Sequence, residues 1–407
     1  MVSDKIYEKE KKGMMKIGCV IAYSKGHNNY GTSLQGYALV RKIQELGYDV
    51  EIIEYVKRLS LIDKTKYVIN AIRAGEIKVL KRKVRGKRAY HHPQYAEGLT
   101  LRTQAVDAYK SKKLIPLFHR YIGFKALSEG SLNYDTVVVG SDQVWTPLSL
   151  PNKFFNLLFV KDSVRKVSYA SSFGVSHIPD FQKKATGHYL DRFYKISVRE
   201  QRGKEIVESL SHQQALVVAD PTLLLTKEEW EKEITENISE STAQNVARTE
   251  GTPYIFCYLI SPNKEARIQV QRLKDETGLP MITIRHMEQY REIDETIGDE
   301  APYAVDPNDF VRYISKAQYV CTDSFHCTVF STLFHRPFMT FYRTSHQVHS
   351  NRNSRIDSLF EILGINKSHI FKDDILKIKE PIDWRMVDNN LEKLRLDSLK
   401  FLKTALK

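Results

Sequence analysis

A histidine at the mouth of a helix can face an anion and pass a proton, and the segment AQYVCTDSFHCTVFSTLF (317–334) offers that pattern. Its apolar strand ends at Thr322, Asp323 and Ser324, and a helix is expected to start near Cys327 and Thr328. Backbone N–H groups of a first helical turn lack intrahelical acceptors and make an anion site. His326 stands at that mouth, within reach of a proton transfer. The same residues also read as an Asp or Ser N-cap beside a structurally satisfied histidine.

Other polar groups fall at similar positions. Arg199 in ISVRE directly follows a strand, with Arg202 and Lys204 after it. Its guanidinium can project toward a carboxylate or phosphate, or form a surface ion pair with Glu200 or Glu205. Asn28, Asn29 and Gly31 lie at the first strand-to-helix turn and offer amides to an oxygen-rich ligand, unless they only make an ordinary turn. GSDQVW (140–145) sets Ser141, Asp142 and Gln143 at another strand end, where an Asx turn with Trp145 in the core is the plainer reading. RTSHQVHSNRNSRIDSLF (343–360) is a polar, basic loop before an amphipathic helix, consistent with a mobile lid carrying Arg343, Asn353 and Arg355.

These residues need a scaffold that gathers strand ends. MKIGCVIA (15–22), a loop, a helical TSLQGYALVRKIQELG and DVEIIEY (49–55) open the chain as parallel α/β. A polar helical stretch is expected from about Leu99 to Glu129, then strands at DTVVVG (135–140), KVSYASSFG (166–174), KISV (195–198) and within ALVVADPTLLL (215–225). Residues 226–252, acidic and rich in Ser and Thr, read as a hinge or linker. A second α/β series follows: YIFCYLI, a helix over about Pro262 to Thr277, MITI, a helix near Pro307 to Ser315, AQYVCT and PFMTFY. The expected division is an N-terminal domain over 14–225, the linker, a C-terminal domain over 253–388 and an amphipathic helix over 389–407. Open parallel sheets bind ligands outside the carboxyl ends of their strands, where every polar group above lies.

With 407 residues and 42% hydrophobic composition, the chain is long enough for two packed domains and too apolar for a disordered polymer. No apolar run approaches the ~20 residues that cross a bilayer. Residues 1–13 lack the apolar core of a secretory signal, so the expected location is cytoplasmic. Cys19, Cys257, Cys321 and Cys327 read as reduced buried thiols; no metal is expected, because Cys321, His326 and Cys327 would need further ligands that the spacing does not supply.

The net charge of +13 is concentrated in one place. Between Lys57 and Pro93, twelve basic residues stand against Asp63 and Glu76, a net of +10. This stretch reads as a solvated surface or, given its aliphatic complement, as a helix lying on an anionic membrane at the inner face of the cell membrane. Nucleic acid is not an expected partner, since no recognition motif is present and aromatics are not interleaved with the charges.

Taken together, NNYGTSLQGYAL, DTVVVGSDQVW, YASSFG, ISVRE, VADPTLLL, TDSFHCTVFS and NSRIDSLF, in this order over roughly residues 15 to 362, resemble the polysaccharide pyruvyl transferase family. The resemblance implies an α/β fold of two Rossmann-like domains facing a cleft, similar to GT-B glycosyltransferases. It also implies phosphoenolpyruvate as donor substrate with no other cofactor, and a sugar or glycan acceptor, lipid-linked or free. The product would be a pyruvate ketal of a cell-surface polysaccharide or its precursor. Matched position by position, the family's catalytic histidine falls on His326 and its strand-end arginine on Arg199. Many members carry arginine two places before that histidine, where this chain has Ser324, and a glycine after it, where this chain has Cys327.

On that reading His326 is the acid, and Arg199, Ser324, Cys327, Thr328, Arg343 and Arg355 bind the donor. Asn28, Asn29, Gly31, Ser141 and Gln143 face the acceptor, with Asp142 as the catalytic base. Two alternatives stand beside this reading. One is a glycosyltransferase using a nucleotide sugar; the other is a non-catalytic membrane or polyanion binding protein driven by residues 57–93.

Overall fold

Apolar runs of three to eight residues, each followed by turn-forming polar residues, fold as parallel strands that all deliver their polar ends to one side. The computed structural model describes residues 13–23, 28–57, 65, 68–69, 72–73, 92–236, 240–287, 290–343 and 353–407.

The first sheet contains β1 (Lys16–Val20), β2 (Asp49–Val56), β3 (Phe118–Ile122), β4 (Thr136–Val139), β5 (Arg165–Ser171), β6 (Lys195–Val198) and β7 (Ala215–Val217). They lie in the order β3-β2-β1-β4-β5-β6-β7, every pairing parallel. The second contains β8 (Ile255–Tyr258), β9 (Met281–Thr283), β10 (Tyr319–Thr322) and β11 (Phe338–Thr340), ordered β11-β10-β8-β9 and again parallel. Chain order reverses between β1 and β4 in one sheet and between β8 and β10 in the other. A reversal of this kind opens a crevice at the carboxyl ends. The two Rossmann-like α/β domains face each other across that crevice.

Helices α1 (Tyr30–Glu45), α2 (Pro93–Lys113), α3 (Phe124–Gly130), α4 (Asp180–Leu190), α5 (Gln201–Leu210) and α6 (Pro221–Leu224) accompany the first sheet. After α7 (Lys227–Glu236) and α8 (Glu240–Thr249) come α9 (Lys264–Thr277), α10 (Pro307–Lys316), α11 (Phe325–Leu333), α12 (Ser354–Leu363) and α13 (Trp384–Leu406). Asn29 starts α1 by accepting from Thr32 N at 3.1 Å, the N-cap bond its residue type favours.

Three expectations change. Where a hinge or linker was expected over 226–252, Lys227–Glu236 and Glu240–Thr249 are helices; in the first, Trp230, Glu233 and Ile234 form a buried stripe at helical spacing inside an acidic segment. Asn245 on α8 then ties to the second domain, donating to Ala304 O and Asp309 Oδ2, each at 2.8 Å. The predicted helix over 99–129 breaks into α2, β3 and α3. β3 reads FHRYI, an edge strand with His119 and Arg120 exposed, so its period-2 signal is blunted. The C-terminal helix starts at Trp384 instead of 389, since Asp383 caps it by accepting from Met386 N at 3.0 Å. It returns to the first domain, where Ser398 Oγ accepts from Ala219 N at 2.9 Å.

One apolar cluster runs through both domains, joining Tyr30 and Leu34 on α1 with Trp230, Phe310 and Phe330. Tyr30 stacks on Phe310 at 4.6 Å and donates to Val305 O at 3.1 Å. The relation between the sheets is therefore held by core packing as well as by chain connections. All four cysteines are free and buried. Most of the basic stretch 57–93, and with it the expectation of membrane contact, lies outside the described residues. Among the described residues no helix is long and apolar enough to cross a membrane.

Candidate active site

Four strand ends and one helix mouth converge on a charge cluster centred on the buried Arg199. β6 ends at Val198 and delivers Arg199 and Glu200, 4% and 2% exposed. β7 leads to Asp220, which caps α6 by accepting from Thr222 N at 3.0 Å and Thr222 Oγ1 at 2.7 Å. Its other oxygen accepts from Arg199 NH1 at 2.8 Å and Ser141 Oγ at 2.9 Å, and lies 3.6 Å from His326 Nε2. β4 contributes Asp142 in a left-handed conformation (φ 74°) that aspartate tolerates better than most residues. Asp142 Oδ1 accepts from Gln143 N and Oδ2 from Thr32 Oγ1, each at 2.9 Å. β5 supplies Ser172, whose hydroxyl donates to Glu200 Oε1 at 2.7 Å.

The second domain closes this cluster from above. The Arg199 guanidinium lies 4.4 Å from the centre of the Phe325 ring on α11, and Arg355 on α12 lies 5.5 Å from the same ring. With the Gln143 amide oriented so that its oxygen faces α12, Arg355 donates to that oxygen at 2.9 and 3.1 Å, and Ser358 Oγ accepts from Gln201 N at 3.3 Å. Arg199 spends NH1 on Asp220. Its Nε and NH2 are buried with no hydrogen-bond partner among the described residues, as is His326 Nε2. The nearest carboxylates sit too far for hydrogen bonds, Glu200 Oε2 at 3.9 Å from Nε and Asp142 Oδ1 at 3.8 Å from NH2.

The carboxyl groups differ in character. Burial pushes Asp220 up, but His326 and Arg199 outweigh it and hold the carboxyl far below the usual range. Asp142 keeps some exposure to solvent, and Arg199, His326, Arg355 and the Thr32 bond outweigh its partial desolvation and hold it low. Glu200 goes the other way, because burial outweighs Arg199, Ser172 and Arg355 and raises it. Burial and the neighbouring Arg199 and Arg343 bring Arg355 down to about 9.

The sequence-derived candidates are distributed unevenly around this centre. His326, Arg199, Asp142 and Arg355 meet there. Ser141 and Gln143 serve as partners of Asp220 and Arg355. Asn29 caps α1, while Asn28 donates to Thr103 Oγ1 at 2.9 Å and leaves a buried Oδ1 with no hydrogen-bond partner among the described residues. Helix α11 begins at Phe325, two residues earlier than expected, with Ser324 at its N-cap making no side-chain capping bond. The Thr328 N–H is therefore already bonded to Ser324 O at 3.0 Å, and its hydroxyl pairs with Thr340 at 2.9 Å. Cys327 is fully buried, its thiol pushed up by burial. Arg343 folds onto Asp323 O at 2.6 Å. The lid expectation rests on residues 344–352, which lie outside the described residues.

Gly31 has a different task from the one its loop position suggested. The imidazole of His326 occupies the space a Cβ would need there. We expect Gly31→Ala to displace the ring and lower turnover at least tenfold while the fold, anchored by the apolar cluster, stays intact. Steady-state rates with circular dichroism check this; an unchanged rate would show that the ring's seat does not matter.

Asp220, Thr32 and Phe325 were not singled out from sequence, and Glu200 only as a surface ion-pair partner of Arg199. VADP carried a usable signal for Asp220, a strand followed by an aspartate before proline at a helix start. The contact of Phe325 with Arg199 crosses between domains and has no local signature.

A family model described as polysaccharide pyruvyl transferase matches residues 29–346. No curated protein matches the chain. Among solved structures, similarity extends to UDP-GlcNAc 2-epimerase from Neisseria meningitidis bound to UDP-GlcNAc, with 8% identity, TM-score 0.48, and coverage of 95% of this chain and 100% of that one. The S. aureus MnaA–UDP structure is 10% identical, with TM-score 0.49 and coverage of 95% and 91%. The Methanocaldococcus jannaschii UDP-GlcNAc 2-epimerase is 12% identical, with TM-score 0.48 and coverage of 85% and 92%.

Proposed function

The chain belongs to the polysaccharide pyruvyl transferase family, and on that premise we propose that its cleft binds phosphoenolpyruvate against Arg199 and transfers the pyruvyl group to two hydroxyls of a sugar. The observation that carries this reading is the buried Nε and NH2 edge of Arg199, without hydrogen-bond partners among the described residues, beside the equally open Nε2 of His326. That edge of a guanidinium is a fork matched to two oxygens of a carboxylate or phosphate. The amides opening α11 and the Arg355 guanidinium add further positive potential.

Carbon 2 of an enol phosphate becomes electrophilic once carbon 3 is protonated. His326 in its imidazolium form gives the Nε2 proton to carbon 3, and Asp220, 3.6 Å away, stabilises the charge before transfer. A sugar hydroxyl attacks carbon 2, phosphate leaves, and a second hydroxyl closes the ketal. The methylene gains one hydrogen, the two hydroxyls lose one each, and the remaining proton departs with phosphate. Asp142 is held strongly ionised, which makes it a weak base. Its role is to steer an attacking hydroxyl as a hydrogen-bond acceptor. The open Asn28 Oδ1 supports an acceptor side at the end of β1.

Titration calorimetry with phosphoenolpyruvate, alone and with sugar acceptors, is expected to give saturable heat. Silence with that donor and binding of a nucleotide sugar instead would replace this reading by glycosyl transfer.

A further inference from the structure

An oxyanion seated on the Arg199 fork lands between two carboxylates, and the structure treats those two differently. Asp142 has both oxygens engaged as an anion, one by the Gln143 amide and one by Thr32, each at 2.9 Å. Glu200 has only Oε1 engaged, by Ser172 at 2.7 Å; Oε2 is buried with no hydrogen-bond partner among the described residues, 3.9 Å from Arg199 Nε. A ligand oxygen about 2.8 Å from that Nε reaches the neighbourhood of Oε2. Two anionic oxygens in contact away from water repel strongly unless a proton lies between them.

We propose that Glu200 takes up a proton when the donor binds and, as a neutral acid, donates Oε2–H to the donor's oxyanion. This rests on the reading of the cleft as the phosphoenolpyruvate site and adds a positioning group to it. The proton comes from solvent and returns there when the donor leaves. The groups facing Glu200 are Arg199 beside it, Ser172 and the Phe173 amide at the end of β5, and Arg355 from α12, with Asp142, Asp220 and His326 around the same guanidinium. Burial already raises the Glu200 carboxyl against the opposing pull of Arg199, Ser172 and Arg355. A raised carboxyl favours the protonated form at low pH, so donor affinity conferred this way is lost as pH rises through that pKa.

The test is calorimetry of the full chain with phosphoenolpyruvate in buffers of different ionisation enthalpy, across neutral to alkaline pH. Measuring in a His326→Gln background removes the imidazole's own proton. Expected is uptake of up to about one proton with Glu200 present, with affinity falling up to roughly tenfold per pH unit on the alkaline limb. Glu200→Gln keeps an oxygen for Ser172 and should abolish both the uptake and that slope. Should the Gln variant fold poorly, the slope in the His326→Gln background decides near neutral pH, well below the value of about 9 at which Arg355 would itself lose its charge. Arg199-dependent binding with no such uptake or slope overturns the inference and leaves the donor assignment standing. Absence of phosphoenolpyruvate binding to the wild-type chain overturns both.

Discussion

Replacing His326 with glutamine lowers turnover about 10²-fold or more while donor affinity changes little. Nε2 is buried, open and 3.6 Å from Asp220, and the ring is seated against Gly31, where no side chain intervenes. Glutamine retains polarity and much of the volume but has no proton to give to carbon 3. An interaction made only as the methylene is protonated affects the rate and not ground-state binding. Single-turnover rates and donor titrations on both proteins check this. A glutamine variant that reacts at the wild-type rate would reduce His326 to a packing residue.

Arg199→Ala has the opposite signature, because its fork is occupied as soon as the donor binds. Loss of a charge-assisted contact of this kind weakens donor binding by roughly 1.5 to 3 kcal/mol. Stability also suffers: Asp220 loses its 2.8 Å partner in a fully buried setting, and removing one side of such a pair costs about 3–5 kcal/mol. Arg199→Lys separates the two effects. A lysine can restore a charge near Asp220 but presents no planar fork, so melting temperature should recover more than donor affinity does. Equal recovery of both would mean that charge alone, and not the fork, binds the donor.

Much of this site was legible because parallel strands repeat one rule, an apolar run followed by polar residues at its carboxyl end. ISVRE, GSDQVW and TDSFH could each be located that way, and Arg199, Asp142 and His326 do meet. What remained hidden were the consequences of burial. The surface ion pair considered for Arg199 is in fact a set of buried relations; its partner Asp220 lies 21 residues further along the chain and is brought beside it by the pairing of β6 with β7. Glu200, the residue next to Arg199, differs from Asp142 through its deeper burial and through which hydroxyls, amides and charges reach it, none of which has a local signature. The helix start at Phe325 rather than Cys327 moved the open amides by two positions, a shift within the ordinary uncertainty of helix ends. The two helices in 226–252 were masked by acidic composition, although Trp230 and Ile234 lie four apart on one buried face.

The central claim is that carbon 3 of phosphoenolpyruvate is protonated while carbon 2 is captured by a sugar. The most direct measurement is reaction with a panel of sugar and glycan acceptors in deuterium oxide, following phosphate release and the mass and proton spectrum of the product. The account predicts acceptor-dependent phosphate release and a ketal whose methyl group carries a single deuterium. No phosphate release with any acceptor, together with consumption of a nucleotide sugar, would contradict it.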